Sequence, residues 1–111
     1  MRKPTVELLW WEGCPSTDEA LAMVRQEMAE VGLDPDQLEA REVSTDADVD
    51  REGFVGSPTI RVDGRDVQPA GGDPVGLSCR VYRLDDGRVS PVPDPAQVRQ
   101  TLADAMKGGD D

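Results

Sequence analysis

Residues 10–21 read WWEGCPSTDEAL, and the pattern of apolar residues changes within them at Cys14. The preceding run, TVELLWW (5–11), is short and largely apolar, which is typical of a buried strand. The following run, PSTDEALAMVRQEMAEVG (15–32), spaces its apolar residues by three and four, which predicts a helix. Cys14 is therefore predicted to lie where a strand passes into a helix.

The predicted helix has an apolar face and signals at both ends. The face consists of Leu21, Val24, Met28 and Val31. Ser16 and Glu19 have the spacing of a capping box at its start, and Gly32 is a natural stop.

Four further elements are predicted before residue 69. They are a weaker strand at 38–43, a short helix at 44–54 that begins at Ser44 or Thr45, a strand at 58–62 in which Ile60 and Val62 alternate with Thr59 and Arg61, and a return strand at 65–68. Between the last two strands, Asp63-Gly64 predicts a tight hairpin turn.

The C-terminal third predicts a Gly- and Pro-rich loop, a strand at 79–84, a turn, and a last helix. Asp94 is the expected N-cap of that helix, and Pro95 its first residue. Its inner stripe is Val98, Leu102 and Ala105 or Met106. A helical crossover between strands gives a parallel pair, and the hairpin adds an antiparallel one. We expect one α/β domain spanning 1–111, with a central four-stranded mixed sheet, helices on both faces and a flexible tail at 107–111.

Composition narrows the classes of function. The 111 residues include 23 acids, 12 bases and no histidine, for a formal charge of −11. This charge argues against nucleic acid and anionic membranes as partners. The missing histidines exclude Ser-His and Cys-His catalysis within the chain. The N-terminal residues MRKPTVELLWWEG show neither a membrane span nor a cleavable signal, so we expect a cytoplasmic protein.

The chain has two cysteines, Cys14 and Cys79, too few for a disulfide scaffold or a four-thiolate zinc site. A helix N-terminus favours the Cys14 thiolate, whereas the nearby Glu12, Asp18 and Glu19 oppose it, so only mild activation is expected. The alternative from the residues alone is a buried, inert Cys14 at a turn. Cys79 is equally open, either as a partner of Cys14 or as a buried strand residue.

GCP at the junction, together with GSPTIRVDG (56–64) and more weakly AGGD (70–73), resembles the thioredoxin fold and its glutaredoxin-like branch. The resemblance implies a cis bond before Pro58, with Pro58 against a nucleophilic Cys14 and the Ser57 backbone facing the substrate. The chain departs from that pattern at Thr17, where a second cysteine is usual, and in an inserted loop (69–79) expected near the active site. Cys79 ends this loop and would then act as the resolving thiol.

The same resemblance suggests further binding residues. Gly71, Gly72 and Asp73 resemble the glutaredoxin segment that holds the carboxylate of glutathione, since glycine lets backbone amides approach an anion. Thr17 resembles the serine of single-cysteine glutaredoxins, which bind an iron–sulfur cluster with glutathione. Trp11 is a candidate substrate contact, although both tryptophans are also consistent with the core and rim of the first strand.

Three classes of function remain. The first, which we favour, is a thiol–disulfide oxidoreductase or redox-responsive protein acting on a protein or small-molecule thiol or disulfide, with no required cofactor. The second is soft-metal chemistry. Organomercurial lyases have a thioredoxin-like core and use two cysteines with one carboxylate. In this chain the corresponding residues would be Cys14, Cys79 and either Asp73 or Asp18. The third is a non-catalytic thioredoxin-like binding domain.

Overall fold

The apolar run before Cys14 forms the central strand, β1 (Val6–Trp10), of a four-stranded sheet. The structure is a computed structural model that describes residues 3–68, 76–77, 80–84 and 86–108. The other strands of this sheet are β2 (Glu39–Glu42), β3 (Thr59–Val62) and β4 (Arg65–Asp66), in the order β2-β1-β3-β4. Within the described residues, the α-helices are α1 (Thr17–Glu30), α2 (Asp46–Glu52) and α3 (Pro95–Gly108).

The sheet is mixed, as predicted. β1 pairs in parallel with β2, reached through the α1 crossover, and antiparallel with β3. β3 and β4 form the expected hairpin, in which Asp63 and Gly64 have φ angles of 54° and 81°. Two successive positive φ values match the twist of a tight hairpin, which explains the choice of Asp-Gly at this turn.

Apolar residues cover both faces of the sheet. Val6 and Leu8 share one face with Ile60 and Val62, and this face packs against the buried stripes of α1 and α3. On the opposite face Leu9 packs in a second cluster with Val43, Val49 and Phe54. Helices therefore lie on both faces, because alternate β1 residues supply both cores.

A network of charged side chains also holds α2 on its face of the sheet. Glu52 Oε1 lies 3.2 Å from Arg41 and 3.4 Å from Arg61, and Arg41 lies 2.7 Å from Glu7. Arg61 also donates to the backbone carbonyl of Glu52. The network joins three strands to the end of α2. A network of this kind contributes more to the stability of the fold than an isolated surface ion pair does.

Two of the three predicted N-cap residues make a side-chain capping hydrogen bond. Thr45 accepts a hydrogen bond from the Asp48 amide at 3.1 Å, and Asp94 accepts one from the Ala96 amide at 2.9 Å. Ser16 occupies the N-cap of α1 but makes no side-chain capping bond, so the capping-box prediction was wrong.

The second strand is exposed along its whole length. All four β2 residues are solvent-accessible, whereas the flanking Leu38 and Val43 are buried. β2 is an edge strand, and this position explains why the sequence shows no clean alternation between 38 and 43.

The segments after β4 differ in detail from expectation. Of the strand predicted at 79–84, only β5 (Tyr82–Arg83) forms among the described residues, and it pairs with β6 (Val89–Ser90) in a separate two-stranded sheet. α3 continues through Lys107 and Gly108, which were expected in the tail, and 109–111 lie outside the described residues. In the described part of the chain, no helix has both the length and the apolar character that a bilayer span requires.

Candidate functional site

Cys14 lies in a tight turn between β1 and α1. Its amide donates to the Trp11 carbonyl at 2.9 Å, and its residue exposure is 7%. The Trp11 amide in turn donates to Ser57 Oγ at 3.1 Å. The turn is therefore held against the segment that opens β3.

The thiol itself contacts this segment. Cys14 Sγ donates to the carbonyl of Ser57 at 3.3 Å, and the Ser57–Pro58 peptide bond is cis, which confirms that prediction. Both Ser57 and Pro58 are buried. The GCP and SPTI segments, which are 43 residues apart at Cys14 and Ser57, thus meet through one hydrogen bond.

A residue that sequence reasoning did not assign to the site shares the same carbonyl. The Arg80 amide donates to the Ser57 carbonyl at 2.8 Å. Gly56 permits this approach, because a Cβ on it would lie 3.0–3.1 Å from Arg80 atoms and its φ is 132°. Ser57 O therefore connects the Cys14 turn to the chain that follows residue 79.

The Arg80 side chain belongs to a buried polar network behind Pro58. Its guanidinium is 2.5 Å from Asp66 Oδ2, donates to the Gln68 carbonyl, and lies 4.4 Å from the centre of the Tyr82 ring. Tyr82 Oη donates to the Pro58 carbonyl at 2.5 Å. Burial raises the pKa of Tyr82 above its ordinary value near 10. The network therefore contacts the Ser57–Pro58 segment through the Pro58 carbonyl.

An open cavity of about 520 Å³ borders Cys14. The described residues lining it are Trp10, Glu12, Cys14, Pro15, Thr17, Asp18, Leu21 and Ala40. They come from the end of β1, the turn, the first turns of α1 and the edge strand β2. The cavity is open to solvent, so a small molecule or an extended peptide can enter it beside Cys14.

Of the other predicted binding residues that the structure describes, Thr17 lines the cavity and Trp11 does not. The Oγ1 of Thr17 donates to the Cys14 carbonyl at 3.4 Å. Trp11 packs instead beside the second core cluster, and Trp10 is the tryptophan in the cavity lining. Gly71, Gly72, Asp73 and Cys79 lie outside the described residues.

Only two of the four candidate metal ligands, Cys14 and Asp18, lie within the described residues. Within the described ranges, no group of three or more Cys, Asp and Glu side chains is arranged to hold a metal ion. Asp18 borders the same cavity as Cys14, whereas Asp73 and Cys79 are outside the described residues. What the described residues do provide is a thiol at the start of a 14-residue helix, next to an open cavity.

Comparison of the chain with protein-family models, curated proteins and solved structures found no match. Its function is therefore inferred from the contacts of Cys14 and from the composition of the cavity beside it.

Proposed function

We propose that this chain is a thioredoxin-like thiol–disulfide oxidoreductase in which Cys14 is the attacking thiol. The observation that carries the proposal is the 3.3 Å hydrogen bond from Cys14 Sγ to the Ser57 carbonyl. It brings together GCP and SPTI, the two segments whose combination resembles that family. The mixed sheet, with the cysteine between β1 and α1, is compatible with such a fold.

The reaction has two thiol–disulfide exchange steps. The Cys14 thiolate attacks one sulfur of a substrate disulfide, forming a mixed disulfide and releasing the first substrate thiolate. A second protein thiolate then attacks Cys14 Sγ and releases the other substrate thiolate. The substrate gains two electrons, the protein forms one disulfide, and an external thiol reductant must restore the two protein thiols.

Cys79 is the proposed second thiol, since it is the only other cysteine in the chain. Support comes from the next residue, because the Arg80 amide donates to the same Ser57 carbonyl that accepts from Cys14. Cys79 itself lies outside the described residues. The proposal therefore requires that oxidation produce an intramolecular Cys14–Cys79 disulfide.

The direct test is reduction of the neutral 2-hydroxyethyl disulfide with dithiothreitol as the reductant. Wild type is expected to accelerate the reaction over the uncatalysed rate, and Cys14→Ser is expected to abolish the acceleration. With Cys79→Ser, treatment with 2-hydroxyethyl disulfide alone is expected to accumulate a one-to-one mixed disulfide on Cys14, visible by intact mass and peptide mapping.

Two results would reject the mechanism. Equal acceleration by wild type and Cys14→Ser would remove Cys14 from the reaction, and two unpaired thiols after oxidation of wild type would remove Cys79 as the resolving residue. A folded wild type without any acceleration would instead favour a binding domain. Circular dichroism of each variant separates these outcomes from unfolding.

A further inference from the structure

The cavity beside Cys14 is lined by apolar and acidic residues. Four of its lining residues offer largely apolar surface, namely Trp10, Pro15, Leu21 and Ala40. Its charged lining residues are Glu12 and Asp18, both exposed to solvent, and the described lining contains no lysine or arginine. A substrate held at the thiol therefore meets carboxylates on the residues that flank Cys14.

The arginines beside the Ser57 contact and beside Ala40 do not offset this charge. Arg80 has a side-chain exposure of 5% and is paired with Asp66 behind Pro58. Arg41 follows Ala40 in β2, so its side chain is on the other face of the sheet, where it pairs with Glu7 and Glu52.

The N-terminus of α1 is the opposing influence, because it favours an anion. The helix dipole corresponds to roughly half a positive charge, and its effect is confined to the first turn. Two full negative charges, at Glu12 and Asp18, outweigh this partial charge for a substrate that occupies the cavity. The whole chain, at −11, has the same sign.

From this arrangement we infer that the cavity selects thiols and disulfides that carry positive charge close to the sulfur, such as a cysteine flanked by lysine or arginine. Apolar parts of the substrate lie on the Trp10 and Leu21 surface, while its cation faces Glu12 and Asp18. Anionic thiols, glutathione among them, are disfavoured at this site. Such molecules are the substrate class of the proposed oxidoreductase, and the inference rests on that proposed function because only then is the substrate a disulfide.

The test uses two methanethiosulfonate reagents of similar size, one with a trimethylammonium group and one with a sulfonate. In each, the Cys14 thiolate attacks the sulfenyl sulfur, forms a protein–reagent disulfide and releases methanesulfinate. The second-order rate at Cys14 is followed by mass spectrometry of its peptide in the full chain, with Cys79→Ser present in the wild-type background and in every variant, because Cys79 would otherwise displace the reagent from Cys14. Intrinsic differences between the reagents cancel when the ratio of cationic to anionic rates is compared between variants.

The combined Glu12→Gln and Asp18→Asn variant is expected to lower this ratio about tenfold at low ionic strength. For charges roughly 12 Å apart in water, each pair contributes about a 1.8-fold change; because each of the two substitutions acts on both reagents in opposite directions, the four factors multiply to about tenfold. The wild-type ratio is expected to fall towards that of the variant in 0.5 M salt, because surface charges are screened.

The matched control is Glu30→Gln with Asp36→Asn, which removes the same net charge from exposed positions outside the cavity lining. This control should leave the ratio within about twofold of wild type. An equal drop in both double variants would assign the preference to net charge and overturn the inference. So would a ratio unchanged by Glu12→Gln and Asp18→Asn, or a Cys14 that neither reagent labels.

These outcomes are separable from failure of the proposed function, since labelling requires only an accessible thiol. A protein with the predicted charge selectivity that fails to reduce the neutral 2-hydroxyethyl disulfide would retain the selective cavity and lose the oxidoreductase mechanism. Catalysis without charge selectivity would give the reverse result.

Discussion

Tyr82→Phe tests the network behind Pro58, because it removes one oxygen and keeps the aromatic ring. Tyr82 is fully buried, and its hydroxyl donates to the Pro58 carbonyl at 2.5 Å. Loss of this bond leaves a buried acceptor without that donor, which costs about 1–3 kcal/mol. The stacking of Arg80 on the ring is retained. We expect the free energy of unfolding in urea to fall by about 2 kcal/mol at pH 7.

The difference between wild type and variant should shrink at high pH. Burial raises the pKa of folded Tyr82 above the ordinary value near 10, so the stability this group contributes is fully present below pH 10 and is lost as pH rises towards the folded pKa. At pH 11 the unfolded wild type has released the phenolic proton and the folded one has kept it. Wild type therefore loses about 1.4 kcal/mol between pH 9 and pH 11 that Tyr82→Phe does not lose.

The chain has one tyrosine, so absorbance at 295 nm reports its ionisation directly. Folded wild type is expected to show little tyrosinate at pH 10.5, and urea should release the signal. Titration near pH 10 in the folded protein would refute the buried placement of Tyr82. A stability difference that stays constant between pH 7 and pH 11 would refute the linkage argument.

Three further substitutions test other contacts. Gly56→Ala is expected to lower stability in urea by about 2–3 kcal/mol, because its Cβ would lie 3.0 Å from Arg80 and its φ is 132°; a loss below about 0.5 kcal/mol would contradict this close approach. Asp48→Asn should destabilise the protein at neutral pH and have little effect near pH 2. The hydrogen bond from the Ser44 amide is the largest of the interactions that lower the pKa of Asp48 to about 2, and the stability it contributes is lost as pH falls from about 4. Thermal unfolding at a series of pH values measures this loss, and an equal effect of the substitution at neutral pH and near pH 2 would count against it. Glu52→Gln should cost about 1 kcal/mol at low salt and less in 0.5 M salt, as measured by urea unfolding, and an effect independent of salt would argue against a role of the charged network.

The sequence predicted the elements whose signals are local. α1 and α3 repeat apolar residues with helical spacing, and Asp63-Gly64 specifies its hairpin through backbone conformation alone. The position of Cys14 between β1 and α1 follows from the same local signals. The family resemblance implied that Pro58 lies against Cys14, but the hydrogen bond from Cys14 to the Ser57 carbonyl was not predicted, because nothing local links residues so far apart.

The remainder of the site depends on contacts between distant residues. Arg80 and Asp66 are 14 residues apart, and Tyr82 and Pro58 are 24 apart. An arginine and a tyrosine in a short polar segment give no sign of burial, since each is usually placed at a surface or an interface. β5 and β6 have two residues each, too few for alternation to distinguish a strand from a loop.

The Ser57 carbonyl is where these local and distant contacts meet. It accepts hydrogen bonds from both the Cys14 thiol and the Arg80 amide, while the adjacent Pro58 carbonyl accepts from Tyr82. The Cys14 turn is short and contributes few buried side chains, so its position relative to β3 depends on these bonds. Residues 80–82 therefore influence the position of the Cys14 thiol through the backbone of residues 57 and 58. Their own side chains are not part of the described cavity lining. A change in that segment is expected to alter the rate of the thiol exchange proposed for Cys14 and to leave intact the charge preference proposed for Glu12 and Asp18.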